Sequence, residues 1–316
     1  MRARAAAALA ALLLLAACAT PQVDALRAGG PPAGLRPAHA IADVPFLAQE
    51  QEQCGPATLA MALDATGLHL TPDQLRGQVF VPGRGGSFAP EMLAAARRQG
   101  RLALALEPSL TAVLREVDAD HPVIVLQNLG LAYYPVWHYA LVIGYDLEAD
   151  AVELHSGPQA HARMGLELFE RTWARGGYWA MVATDPAALP VSATTEALLD
   201  ASAALERVDP AAARRAYEAL LQRAPDDFGA WMGLGNSAYA LGDSAAAVTA
   251  FERARQIEPT RGDAWNNLAT ALTARGDLAR ARAAIDRALA LGGAHRATYE
   301  QTAAEIEQAE RAALGR

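Results

Sequence analysis

The stretch "FLAQEQEQCGPATLAMALDATG", residues 46–67, changes character at Cys54, where a polar run of Gln and Glu gives way to Gly-Pro and then to apolar residues. Proline is favoured in a first helical turn, where its missing N–H is not needed. Gly67 marks the stop. The spacing predicts a helix that opens at Cys54 and ends at Gly67, with the thiol at its N-terminus. Partial positive charge there favours thiolate over thiol, the form that attacks near neutral pH. Gly55 leaves the approach to the sulfur open. Gln49, Gln51 and Gln53 lie just upstream, and an amide donor to a developing oxyanion contributes about 3 kcal/mol in acyl transfer.

A thiol nucleophile requires a general base, and the chain has seven histidines. His39 lies in a Pro/Gly-rich segment, His69 and His121 sit in turns beside Thr71 and Pro122, and His295 follows the last helical repeat. His138 is different. It opens the apolar run "HYALVIGYD", a strand pattern on which Ala140, Val142 and Gly144 share its face. Those small residues predict room for a facing helix that carries Cys54.

Around these two residues, 41–185 alternates helix and strand signals in an α+β order. A short helix over 70–78 enters through Thr71-Pro72, and "VPGRGGSFAP" reads as a glycine-rich cleft rim whose Ser87 caps the helix carrying Met92. Strands are predicted at 122–127, 138–145 and 152–156, with 177–184 closing the sheet. No zinc-type ligand spacing appears, so neither a metal nor another cofactor is expected.

Outside this region the sequence is equally patterned. The opening "MRARAAAALAALLLLAAC" has two arginines, an apolar run too short to span a bilayer comfortably, and small residues before Cys18. This is a signal peptide over 1–17. Its ending resembles the bacterial lipobox, which implies acylation of Cys18 and membrane anchoring. Ala19 in place of a retention aspartate implies the outer membrane, with the protein facing the periplasm. Residues 18–40 are rich in Pro, Gly and Ala and are expected to be a flexible tether. With Cys18 given to lipid, Cys54 has no disulfide partner in the chain.

After a linker at 186–192, residues 193–316 are alanine-rich and repeat with period 34. Pro225 recurs as Pro259, Trp231 as Trp265, Leu234 as Leu268, Gly242 as Gly276, and Ala247 as Ala281. The pattern resembles the tetratricopeptide repeat, a pair of antiparallel helices. Two clear units span 227–260 and 261–294. A degenerate one occupies 193–226, where Val208 replaces the turn glycine, and 295–314 forms a capping helix. Such a stack implies a surface for a protein partner. A net charge of -8 excludes the basic footprint of nucleic-acid binding. The chain has no lysine, which excludes a phosphate-loop lysine and a Schiff base.

"QEQEQCGPATLAMAL" together with "WHYALVIGYD" resembles the double-glycine, or bacteriocin-leader, peptidase family of papain-like cysteine peptidases, in a lipoprotein branch with tetratricopeptide repeats. The resemblance implies a papain-like α+β domain followed by an all-α repeat domain. It implies a peptide or protein substrate cleaved with Cys54 as nucleophile, His138 as base and Gln49 as oxyanion donor, Gln51 being the alternative. The family's orienting aspartate has no counterpart. Its place in "AVELHSGP" falls on Ser156, an orienting residue that stabilises imidazolium poorly. The nearest carboxylate after His138, Asp146, lies at the far end of its strand. The alternative is a weak or inactive peptidase fold that serves as a peptide- or protein-binding scaffold.

Overall fold

The structure, a computed structural model, describes residues 19–49, 53–84 and 86–314. They divide into two compact units, one running to Thr184 with Pro190–Ala193, the other from Thr194 onward with Arg97–Leu102 and Asp185–Leu189. In the first, helix α1 (Pro21–Gly29) and strand β1 (Ala38–Ala40) precede α2 (Cys54–Asp64) and α3 (Pro72–Val79). A two-stranded ribbon, β2 (Phe80–Val81) and β3 (Gly86–Ser87), leads to α4 (Ala89–Arg98), β4 (Leu102–Ala105) and α5 (Leu110–Asp118). Then come β5 (Val123–Asn128), β6 (Trp137–Asp146), β7 (Ala151–Ser156), β8 (Gln159–Gly165), α6 (Leu166–Arg175) and β9 (Ala180–Thr184).

One sheet runs β4-β9-β5-β6-β7-β8, and β1 extends the β5 side of β6. β5, β7 and β1 all pair antiparallel with β6. Gly144 lets β1 lie close, since a Cβ there would stand a tight 3.0 Å from the His39 carbonyl oxygen. Period-two alternation gives the sheet two buried faces. Ile124, Tyr139, Leu141, Ile143 and Met181 pack against Leu59, Met61 and Leu63 of α2 and Leu75 and Val79 of α3. Val123, Val125, Ala140 and Val142 are buried on the opposite side, where Gln127 donates to Thr172 of α6 at 2.7 Å.

The helix predicted at 70–78 is α3, closed at its N-terminus by a reciprocal Thr71–Gln74 capping box. Ser87 does not cap α4. It sits in β3 opposite Phe80, and its side chain fills the space beside Gly55 that any Cβ at residue 55 would occupy. The glycine-rich segment is thus turn chemistry inside a small ribbon.

The flexible tether expected over 18–40 is corrected. The N–H groups of Gln22 and Val23 donate to the Glu170 carboxylate at 3.0 and 2.8 Å. Val23 is fully buried, and Arg27 binds Asp150 and Glu167. Farther on, Arg36 binds Asp118 and His39 binds Asp120. A helix N-terminus with no side-chain cap of its own here receives a buried carboxylate from a distant segment, which satisfies its orphan donors and its dipole together. Cys18 and the signal peptide expected over 1–17 lie outside the described residues.

The second unit is seven helices: α7 (Thr195–Glu206) with α8 (Pro210–Arg223), α9 (Phe228–Ala240) with α10 (Ser244–Ile257), α11 (Gly262–Ala274) with α12 (Leu278–Leu291), and α13 (Arg296–Leu314). The 34-residue period has a physical counterpart in each motif. Trp231 and Trp265 donate Nε1–H to the carbonyls of Pro225 and Pro259, at 2.8 and 3.0 Å. Gly242 and Gly276 take left-handed turns at φ 78° and 76°, and Asp209, Asp243 and Asp277 cap the second helix of each pair. Gly233 and Gly235 lie flat against the rings of Tyr217 and Phe251, so the helices approach closely only because these positions lack a Cβ.

Candidate active site

Helix α2 begins at Cys54, as its Gly-Pro start dictates, and no side chain caps it. Its first-turn N–H groups therefore have no intrahelical partner. The thiol is half-buried and packs against the cluster that joins α2 to the sheet. Tyr139, the third residue of β6, reaches the same end of the helix, where its hydroxyl donates to the Ser87 carbonyl at 3.3 Å. Burial first, and then the charges of Cys54 and Glu91, hold that phenol protonated well above its usual range.

His138 stands one residue earlier, and its Nε2 is 2.9 Å from Ser156 Oγ. The residue predicted as the orienting position is thus the one the imidazole meets. Burial pushes His138 below the ordinary histidine range. The other histidines have different partners. His39, His69, His121, His161 and His295 each pair with a carboxylate. His155 is fully buried, its Nε2 against the Val44 carbonyl and its Nδ1 accepting from the His161 N–H. Only at His138 is the partner a side-chain hydroxyl, which leaves Nδ1 without a described hydrogen bond.

The expected face of β6 is corrected. α2 packs on Tyr139, Leu141 and Ile143, because these larger side chains supply the apolar area a buried helix needs. His138 shares the other parity with Ala140 and Val142, so it does not lie on the strand face that α2 covers. Among the described residues no hydrogen bond joins the Cys54 thiol to His138.

Gln49 is held from three sides. Its Nε2 donates to Thr58 Oγ1 at 2.9 Å and, at the long limit of 3.5 Å, to the Tyr139 carbonyl. Its Oε1 accepts from Gly157 N at 3.2 Å. The side chain ties α2, β6 and the β7–β8 turn together, and Thr58 adds its own bond to the Tyr139 carbonyl. Gln51 lies outside the described residues. Thr58, Tyr139 and Gly157 escape sequence reasoning, since each acts through hydrogen-bond geometry that residue type alone does not announce. Asp146 is remote: it binds Ala149 N and Arg163, eight residues along an extended strand from His138, about 26 Å.

Residues 41–181 match the Peptidase_C39 like family, and residues 198–261 and 235–296 match the tetratricopeptide repeat. The chain carries a C39-like peptidase domain followed by tetratricopeptide repeats. Among solved structures it is similar to a C39-like peptidase from Bacillus anthracis, at 17% identity and TM-score 0.40, covering 46% of this chain and 97% of that one. It is similar also to the peptidase domain of Streptococcus ComA, a bi-functional ABC transporter involved in a quorum sensing pathway, at 21% identity and TM-score 0.37, covering 45% and 98%. The repeat region is similar to the Sgt2 TPR domain from Aspergillus fumigatus, at 24% identity and TM-score 0.33, covering 37% and 82%. No curated protein matches the chain. In the C39-like domain, Cys54 and His138 occupy the ends of the two elements that the motif marks, the start of α2 and the start of β6.

Proposed function

We propose that the protein is a lipid-anchored cysteine peptidase that hydrolyses peptide bonds through a Cys-His thioester mechanism, with the repeat domain recruiting a protein partner or substrate. The observation that carries this reading is Cys54 at an uncapped helix start beside a strand whose first histidine is held by Ser156. With Nε2–H donating to Ser156 Oγ, the Nδ1 lone pair is the base. Cys54 Sγ attacks the scissile carbonyl while its proton passes to Nδ1. The carbonyl oxygen gains charge beside the Cys54 N–H, and the proton then moves to the departing amine as the C–N bond breaks. Water, deprotonated by the same nitrogen, hydrolyses the thioester and restores the thiol. Gln49 becomes the second oxyanion donor by exchanging its long bond to the Tyr139 carbonyl for the substrate oxygen.

A serine partner has a consequence for pH. A hydroxyl positions the imidazole but adds no negative charge, so burial dominates and the neutral ring is favoured. The resting pair is therefore set by the neutral imidazole, and the base stays competent to below pH ~6.5, the unperturbed histidine value. In assays against a mixed peptide library, Ser156→Ala is expected to lower kcat by about tenfold through lost orientation. Ser156→Asp should raise the acid limb of the pH profile, because a carboxylate favours imidazolium. An acid limb indifferent to both substitutions would remove Ser156 from the mechanism. Hydrolysis absent from the wild type and from Ser156→Asp alike would favour a peptide-binding scaffold, the reading that the serine in place of a carboxylate supports.

The anchor belongs to the same proposal: Cys18 acylated at the outer membrane, facing the periplasm. Cys18→Ser is expected to remove the protein from the outer-membrane fraction. Recovery of normally processed Cys18→Ser protein in that fraction would refute the lipid anchor.

A further inference from the structure

The connection between β5 and β6 is short, residues 129–136, and together with Trp137 of β6 it forms the hairpin "LGLAYYPVW", with no charged residue in it. Its side chains Leu129, Leu131, Tyr133, Tyr134, Val136 and Trp137 are all exposed, Tyr133 by 84%, Tyr134 by 74% and Trp137 by 55%. Its backbone is nonetheless fixed. Leu131 and Tyr134 exchange both N–H to carbonyl bonds at 3.1 Å. Asn128 Oδ1 accepts from Gly130 N and Val136 N, both at 2.9 Å. Arg175, the last residue of α6, donates two bonds to the Asn128 carbonyl. A contiguous apolar tip held rigid in water marks an interaction surface.

The path of the N-terminal segment gives the direction of the proposed anchor. α1 lies antiparallel to α6, since Arg27 binds Glu167 while Gln22 and Val23 bind Glu170. The chain before Gln22 therefore points toward the end of α6 that holds the hairpin, and Glu170 and Arg175 are five residues, about 7.5 Å of helix axis, apart. Thr20 is buried there, which leaves little free length between the proposed anchor and the domain. Tyrosine and tryptophan prefer the membrane–water interface, where an apolar ring and a polar edge are both satisfied.

We infer that the 129–137 hairpin inserts its aromatic tip into the interfacial layer of the membrane to which the N-terminus is anchored. The opening of the site beside His138, which follows Trp137 directly, then faces the bilayer surface. Substrates would be polypeptide segments that lie at or emerge from that surface. The inference builds on the proposed anchor, but its test does not require lipidation.

The chain from Ala19, with a hexahistidine tag in place of residues 1–18, is captured on phosphatidylethanolamine/phosphatidylglycerol vesicles doped with nickel-chelating lipid. In a Cys54→Ala background, Tyr133→Cys carries an environment-sensitive nitrobenzoxadiazole label, and His69→Cys, at a solvent-exposed turn, serves as the control position. The expected result is a blue shift of the label at 133 on capture, with quenching by nitroxide lipids, and neither effect at 69. An aqueous spectrum at 133 on captured protein overturns the inference. So does a shift at 133 that appears only when an apolar peptide is added, with or without vesicles, which would make the hairpin a peptide-binding surface.

Discussion

Cys54→Ala and His138→Ala are each expected to lower peptide hydrolysis at least about a thousandfold, with little change in thermal stability. The loss follows from the chemistry: without the sulfur no thioester forms, and without the imidazole the thiol proton has no acceptor within the strand end. Residues that act as one unit give non-additive losses, so the double variant should be no worse than the weaker single one. Stability is spared because Cys54 is only half-buried at a helix start, and His138 makes a single side-chain hydrogen bond to Ser156. Comparable rates for wild type and Cys54→Ala would remove the thiol from the reaction.

Glu170→Ala is expected to have the largest effect on the fold of the C39-like domain. The carboxylate is fully buried and accepts from two N–H groups of α1 and from the Tyr178 hydroxyl at 3.2 Å. Its removal strands those donors away from water, at a cost of about 2–4 kcal/mol. The penalty should fall on α1 first, since that helix has no other N-terminal cap. Limited proteolysis of Glu170→Ala should therefore cut within residues 29–36, while the wild type resists. Glu170→Gln, which keeps one acceptor oxygen, should lie between. Equal resistance of all three chains would show that α1 is held by Val23 and Arg27 instead.

Much of this architecture is local in origin and so is visible in the sequence. The Cys-Gly-Pro start of α2, the apolar run of β6 and the period of 34 residues each depend on neighbours within one element or one repeat. The parts that escape are those whose partners are far away along the chain. Residues 21–29 read as tether because Pro, Gly and Ala dominate their surroundings, and nothing near them announces a carboxylate 147 residues later that caps the helix. β1 is three residues long, too short to carry a period of its own, and shows itself only by its pairing with β6. β8 pairs with β7 at the sheet edge with most of its residues exposed, so it lacks the apolar alternation of a half-buried strand.

At the site, residue types were legible and directions were not. Small Ala140 and Val142 beside His138 suggest space for a helix, yet the helix packs on Tyr139, Leu141 and Ile143, since burial of large side chains outweighs vacancy. Ser156 was identifiable by its place after "AVELH", and the 2.9 Å contact with His138 depends on that place alone. Gln49 illustrates the opposite limit: its position was readable, whereas its bonds to Thr58 and Gly157 are a property of the folded chain.

Activation of Cys54 by His138 can be tested by alkylation, without knowledge of any substrate. The chain from Ala19 contains one cysteine, so intact mass after iodoacetamide treatment at pH 7 reports that thiol alone. The wild type is expected to be modified once, at Cys54, at least about tenfold faster than His138→Ala. Equal rates for the two proteins would contradict that activation.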